Sequence, residues 1–174
     1  MLFISAQIIG VLVIIVGAIA SHMKTKSALL LCMVAVNVLL IAEFSLLGAI
    51  TEVAVISVAL VRSVTFFLYS KFGKKAPAWL LALFIAAQIT AVILTWKSWI
   101  CVLMVFDALE TYGQWQNNLK VTRITIIVAS VPVGIYNLLV RGDTGAINSA
   151  VRAVSASIAL WHNHYRKRDK AKQA

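Results

Sequence analysis

Residues 27–47 read SALLLCMVAVNVLLIAEFSLL, an apolar run of 21 residues with a single charge, Glu43. About 20 mostly apolar residues at 1.5 Å per residue cross the roughly 30 Å of bilayer hydrocarbon. The stretch therefore reads as a membrane-spanning helix. Lys24 and Lys26 lie just before it, and Gly48-Ala49 closes it. Working outward, the same pattern recurs. Candidate spans fall at 3–20, 27–47, 50–69, 77–95, 98–115, 121–140 and 144–162, separated by short polar connections. The fifth is interrupted by Asp107, Glu110, Thr111 and Gln114. Composition agrees. Of 174 residues, 61 % are hydrophobic and only 13 % charged, with mean hydropathy +0.93. A soluble domain runs nearer 45–50 % apolar and about 25 % charged. This excludes a soluble enzyme, a secreted disulfide scaffold and a disordered chain. The alternation of a membrane β-barrel is also missing.

The formal charge of +10 does not mark a nucleic-acid binder, because the basic residues share no one face. They sort by side of the membrane instead. Lys24 and Lys26, Lys71, Lys74 and Lys75, Lys120 and Arg123, and the tail residues Arg166, Lys167, Arg168, Lys170 and Lys172 fall on one side. Lys97 and Arg141 fall on the other. Twelve against two places the N-terminus outside and the C-terminus in the cytoplasm. Residues 1–20 carry positive charge after the apolar run rather than before it, so they read as a retained helix and not a signal peptide. Trp79, Trp96, Trp99, Trp115, Trp161, Tyr69 and Tyr165 lie near helix ends, where amphipathic rings collect.

Seven spans divide as 3+1+3. Val61-Arg62-Ser63-Val64-Thr65 in span 3 matches Val151-Arg152-Ala153-Val154-Ser155 in span 7. Each arginine lies inside the third span of its triplet. A single central helix gives both triplets the same orientation, a parallel repeat about the membrane normal. The expected organisation is a first bundle at 1–70, a linker helix at 71–97, a second bundle at 98–165 and a basic tail at 166–174.

These features carry a family resemblance. The Gly10…Gly17 first helix, the basic turn after it and the second helix ending Leu-Leu-Gly resemble those of the bacterial inner-membrane YgjV family. So do the Arg62 helix, the Trp115-Gln116-x-Asn118 turn, Tyr136-Asn137 and Asn148-x-x-x-Arg152. That family is grouped with the SWEET, semiSWEET and PQ-loop transporters. The resemblance implies a 3+1+3 bundle with a central pathway for small solutes such as sugars or a vitamin-like nucleoside. The superfamily's Pro-Gln hinge is missing: helix 1 has Ala6-Gln7 without proline, and helix 5 has no proline. The mid-helix Pro132 removes a backbone hydrogen bond and is expected to kink span 6.

Charges inside the bilayer cost about 2.5–3.5 kcal/mol each on insertion scales, so they face the bundle interior and pair. Glu43, Arg62, Asp107, Glu110 and Arg152 are the candidates, joined by Asn37, Asn137 and Asn148. At 1.5 Å per residue, Glu43, Asn137 and Asn148 fall about 5–8 Å below the outer edge. Asp107, Arg152 and Asn37 fall at about 12–15 Å, and Arg62 and Glu110 at about 17–18 Å. Matching depths pair Asp107 with Arg152 and Glu110 with Arg62. The same pairs would serve helix packing alone. The expected solute lining is Asn37, Glu43, Asp107, Trp115, Tyr136, Asn137, Asn148 and Arg152.

The function expected is transport or facilitation of a small polar solute by alternating access in a bacterial inner membrane, without catalysis or cofactor. The alternative is a non-transporting sensor, chaperone or assembly partner of the same fold. His162-Asn163-His164 puts its two imidazoles at i, i+2, pointing apart, so no metal is expected. Arg141-Gly142-Asp143 reads as an interhelical turn. Cys32 and Cys101 lie inside spans without redox or zinc spacing. The partners expected are the lipid bilayer and an unidentified small molecule, with no nucleic acid.

Overall fold

The computed structural model describes residues 2–96, 98–116, 118–139 and 143–172. Lys97, Arg141 and Gly142 lie outside the described residues, as do the side chains of Trp99, Asp143 and residues 163–174. The tail charges, Tyr165 and one flank of the charge count are thus expectations of sequence alone.

Seven α-helices and one 3-10 segment follow one another among the described residues, with no strand. They are α1 (Leu2–His22), α2 (Lys26–Leu46), α3 (Ile50–Lys71), α4 (Ala78–Leu94), the 3-10 segment Trp99–Asp107 running directly into α5 (Ala108–Trp115), α6 (Leu119–Leu139) and α7 (Asp143–Lys172). Local chemistry sets the ends. The Thr25 hydroxyl accepts the Ala28 N–H at the start of α2, an N-cap. Helices α2 and α3 both stop on a left-handed glycine, Gly48 (φ 68) and Gly73 (φ 65). In each, the amide after the glycine bonds back five residues, Ala49 to Phe44 and Lys74 to Tyr69. This closure needs φ > 0, which glycine adopts without penalty.

Helices α2 (Lys26–Leu46), Glu52–Lys71 of α3 and α6 are long and apolar enough to cross a membrane by length and composition. Ser5–Ala20 and Ala78–Leu94 are apolar but shorter. The expected fifth α-helix over 98–115 is half something else. Nine of its residues are 3-10 helix, which rises about 2.0 Å per residue. The segment therefore gains about 18 Å, and the eight residues of α5 add about 12 Å. Together they reach the bilayer thickness with 17 residues, where an α-helix of that length would fall short by about 4 Å.

The packing is sequential: α1 on α2 on α3, and α5 on α6 on α7. The two rows meet where α7 packs on α1 and where α3 packs on α5, with α4 filling the seam between α3, the 3-10 segment and α5. Ile8, Val38, Val61, Ile93 and Val131 are exposed, while Arg62, Gln88, Glu110, Gln114 and Arg123 are buried beside an apolar core. Exposed apolar surface with the charges kept inside is what a helical bundle in lipid requires. At the end bearing the Lys26, Gly73 and Gln116 turns, Leu29, Leu30, Met33, Phe66, Leu80, Phe84 and Ile126 form an apolar plug. Phe66 meets Phe84 edge to face with centroids 5.7 Å apart.

Candidate functional site

Arg62 sits midway along α3 and is 1 % exposed. Its Nη1 donates to Thr111 Oγ1 (2.6 Å), Gln88 Oε1 (3.0 Å) and Asp107 Oδ2 (3.4 Å). Gln88 Nε2 in turn donates to Asp107 Oδ2, and the Thr111 hydroxyl reaches Gln88 Oε1 at 3.2 Å. One guanidinium thus ties α3 to α4, the 3-10 segment and α5. Next to it the Ser63 hydroxyl donates to Gln114 Oε1, and Asn37 Nδ2 donates to Ser63 Oγ, each at 3.2 Å. Asn37 of α2 joins the network at its edge.

Arg152 of α7 makes the second ion pair. Its Nη2 lies 2.8 Å from both carboxylate oxygens of Glu110. The four residues expected to pair do so, with partners exchanged: Arg62 with Asp107 and Arg152 with Glu110. The 3-10 segment accounts for half of the exchange. Nine residues at about 2.0 Å carry Asp107 to about 18 Å depth, level with Arg62, where α-helical geometry would leave it at about 13 Å. Depth does not account for the other pair, since Glu110, one turn deeper still, lies below the level read for Arg152.

A cavity of about 70 Å³ opens between the two pairs. Its wall includes Asn37 of α2, Glu52 and Arg62 of α3, Asp107, Glu110 and Gln114 of helix 5, Asn137 of α6, and Gly145, Asn148 and Arg152 of α7. A second pocket of about 30 Å³, lined by Gly17, Ala20, Leu29, Val36 and Ile126, shares Met33, Asn37 and Arg152 with the first and leads toward the plug. The cavity is several times smaller than the roughly 300–1,000 Å³ of a drug-sized pocket and suits a few water-sized groups. Asn148 is 5 % exposed, and its Oδ1 has no hydrogen-bond partner. The Asn137 amide lies against Gly145, where an added Cβ would stand 2.8 Å from Asn137 Cγ. The Tyr136 hydroxyl donates to Glu52 Oε1 at 2.7 Å.

The expected lining is therefore brought together in part. Asn37, Asp107, Asn137, Asn148 and Arg152 reach the cavity wall. Tyr136 stands behind it, touching it through Glu52. Glu43 is buried at 1 % exposure in α2 and does not line the cavity. Trp115 lies at the basic end instead. Its Nε1 donates to the Ala76 carbonyl at 2.8 Å, and Lys75 Nζ sits 4.5 Å above its ring. It latches the α3–α4 connection to α5 and is remote from the cavity, because the α5 register turns it outward past Gln114. Helix α6 runs through Pro132 without interruption.

Glu52, Gln88, Thr111 and Gln114 were not anticipated. Gln88 is the one amide within span 4, and a polar residue at that depth was the available signal. Glu52 sits in the first turn of α3, where an acid reads as a solvated helix start. Arg123, assigned to a cytoplasmic flank, is buried at 2 % exposure. It donates to the carbonyls of Met23 (3.0 Å) and Ala159 (3.4 Å), holding α1 and α7 to α6. Among the described residues no three His, Cys, Asp or Glu gather as metal ligands.

A family model described as bacterial inner membrane protein, Imp-YgjV, matches residues 4–167. The chain belongs to that family. No curated protein and no solved structure matches it.

Proposed function

We propose that this bacterial inner-membrane protein moves a small polar solute through the cavity between Arg62 and Arg152. The observation that carries the reading is a cavity walled by helices of both rows, its lining part polar and part apolar, with Asn148, whose amide oxygen is unpartnered, in the wall. A polar group kept unsatisfied in a membrane interior costs about 1–3 kcal/mol, a cost that a passing solute offsets. No catalytic step is part of this reading.

The arrangement proposed is 3+1+3, with α1–α3 and α5–α7 as parallel units, α4 as linker, N-terminus outside and C-terminus inside. The adjacency supports it: exchanging α1–α3 with α5–α7 turns the α3–α5 contact into the α7–α1 contact. The resemblance to SWEET-type transporters rests on that symmetry and on the repeated arginines. Access would alternate by relative motion of the two units. Where a Pro-Gln hinge is missing, the 3-10 segment is the flexible element: conversion of its nine residues to α-helix shortens it by about 4–5 Å and withdraws Asp107 from Arg62.

The alternative, a non-transporting sensor, chaperone or assembly partner, is favoured by two observations. Both arginines are ion-paired, and the basic end is closed by the apolar plug. Uptake by the purified protein in liposomes, read against a panel of small polar metabolites, separates the two. Solute entry above protein-free vesicles, abolished by Asn148→Leu, supports transport. Folded protein that moves no solute supports the alternative.

A further inference from the structure

We infer that the solute is a small monovalent cation bearing N–H donors, of ammonium or guanidinium type, held between Glu52 and Asn148. This rests on the transport reading above. The charged residues on the cavity wall are Arg62, Arg152, Asp107, Glu110 and Glu52. The first four cancel as two ion pairs, leaving the wall one negative charge. That charge is the carboxylate of Glu52. It is 7 % exposed, it takes part in no ion pair among the described residues, and its partner is the neutral Tyr136 hydroxyl.

A buried carboxylate without a counter-charge is costly, and a cationic guest supplies the missing charge. The second observation is independent. Asn148 lines the same cavity, and its amide oxygen is an acceptor with no donor. A carboxylate and an orphaned carbonyl both call for N–H groups, although Arg62 of the same wall also keeps a buried Nε donor without an acceptor. An anion would meet the net negative wall, and a neutral solute would leave Glu52 uncompensated. The cavity volume of about 70 Å³ limits the guest to a few heavy atoms.

The test compares two planar solutes of one shape and different charge, guanidinium and urea, with the full chain in liposomes and nitrate and sodium as further probes. The expected result is guanidinium uptake above urea, nitrate and sodium, accelerated by an inside-negative potential. Glu52→Gln keeps the side-chain shape and is expected to cut guanidinium uptake by at least about tenfold, the loss of one charged hydrogen bond. Asn148→Asp adds a second carboxylate and is expected to raise the guanidinium-to-urea ratio, which covers the case in which Glu52→Gln fails to fold. Faster movement of urea, nitrate or sodium than of guanidinium overturns the cation assignment and leaves the transport reading standing. So does an unchanged guanidinium-to-urea ratio in the folded variants. Movement of none of the four by folded protein overturns the cation assignment, and the metabolite panel then decides the transport reading.

Discussion

In the proposed 3+1+3 arrangement Arg62 and Arg152 take equivalent places, yet they are held differently. Arg62 is shared among a threonine, an amide and an aspartate at 2.6–3.4 Å. Arg152 has one carboxylate at 2.8 Å, and its side chain keeps 19 % exposure toward the cavity. Removing one partner of a buried pair strands the other, at about 3–5 kcal/mol. Glu110→Gln is therefore expected to lower the thermal midpoint in detergent clearly, and Glu110→Gln with Arg152→Met to regain most of the loss. The expected result at Asp107 is milder, because Gln88 and Thr111 remain on Arg62. An Asp107→Asn melting curve as damaged as Glu110→Gln would contradict this. That these four residues pair was legible in the sequence, because intramembrane charge is rare and expensive. Which pairs with which was not, since the answer depends in part on a rise per residue that apolar residues do not encode.

At the scale of elements, five of the seven helices start and stop within a few residues of the positions read from hydropathy, while α7 runs ten residues past its expected end at 162, to Lys172. Their ends are written in local chemistry such as Thr25, Gly48, Gly73 and Pro77. Helix 5 escaped because a fully apolar stretch shows no period from which to tell three residues per turn from 3.6. Its α-helical half packs closely on α6. At Gly113 an added Cβ would stand 2.9 Å from Thr125 Cβ and 3.2 Å from Thr122 Cα, closer still to the Thr125 hydroxyl. Gly113→Ala is expected to destabilise by about 1–3 kcal/mol through overpacking. Gly134→Ala, where Ser149 Cβ stands at 3.3 Å, is expected to cost less, with denaturation in detergent giving the order. An equal or reversed order would mean that the α5–α6 contact is looser than described. The aromatic residues taught the opposite lesson. Trp115 reads equally as a stacking platform or as an interfacial anchor, and only the Ala76 and Lys75 contacts place it at the basic end.

On the scale of the whole molecule, the outward face is apolar, charged residues are buried beside an apolar core, and the cavity lies where the two rows meet. The membrane class was legible from composition alone. The cavity was not, because it is assembled from five helices far apart in sequence. The charge asymmetry predicts an inside C-terminus. Alkaline phosphatase fused after Ala174 is expected to be inactive and a fluorescent protein there to fluoresce, and the reverse pattern would invert the orientation. The most direct test of the central claim, that this interior is a pathway and not only packing, is accessibility from water. With Cys32 and Cys101 replaced by alanine, single cysteines at Asn148 and at Ala20 are exposed to a membrane-impermeant thiol reagent from either side. The account predicts labelling of Asn148→Cys from the outside and of Ala20→Cys from the inside. Protein labelled at a loop cysteine but at neither interior position, from either side, would contradict it.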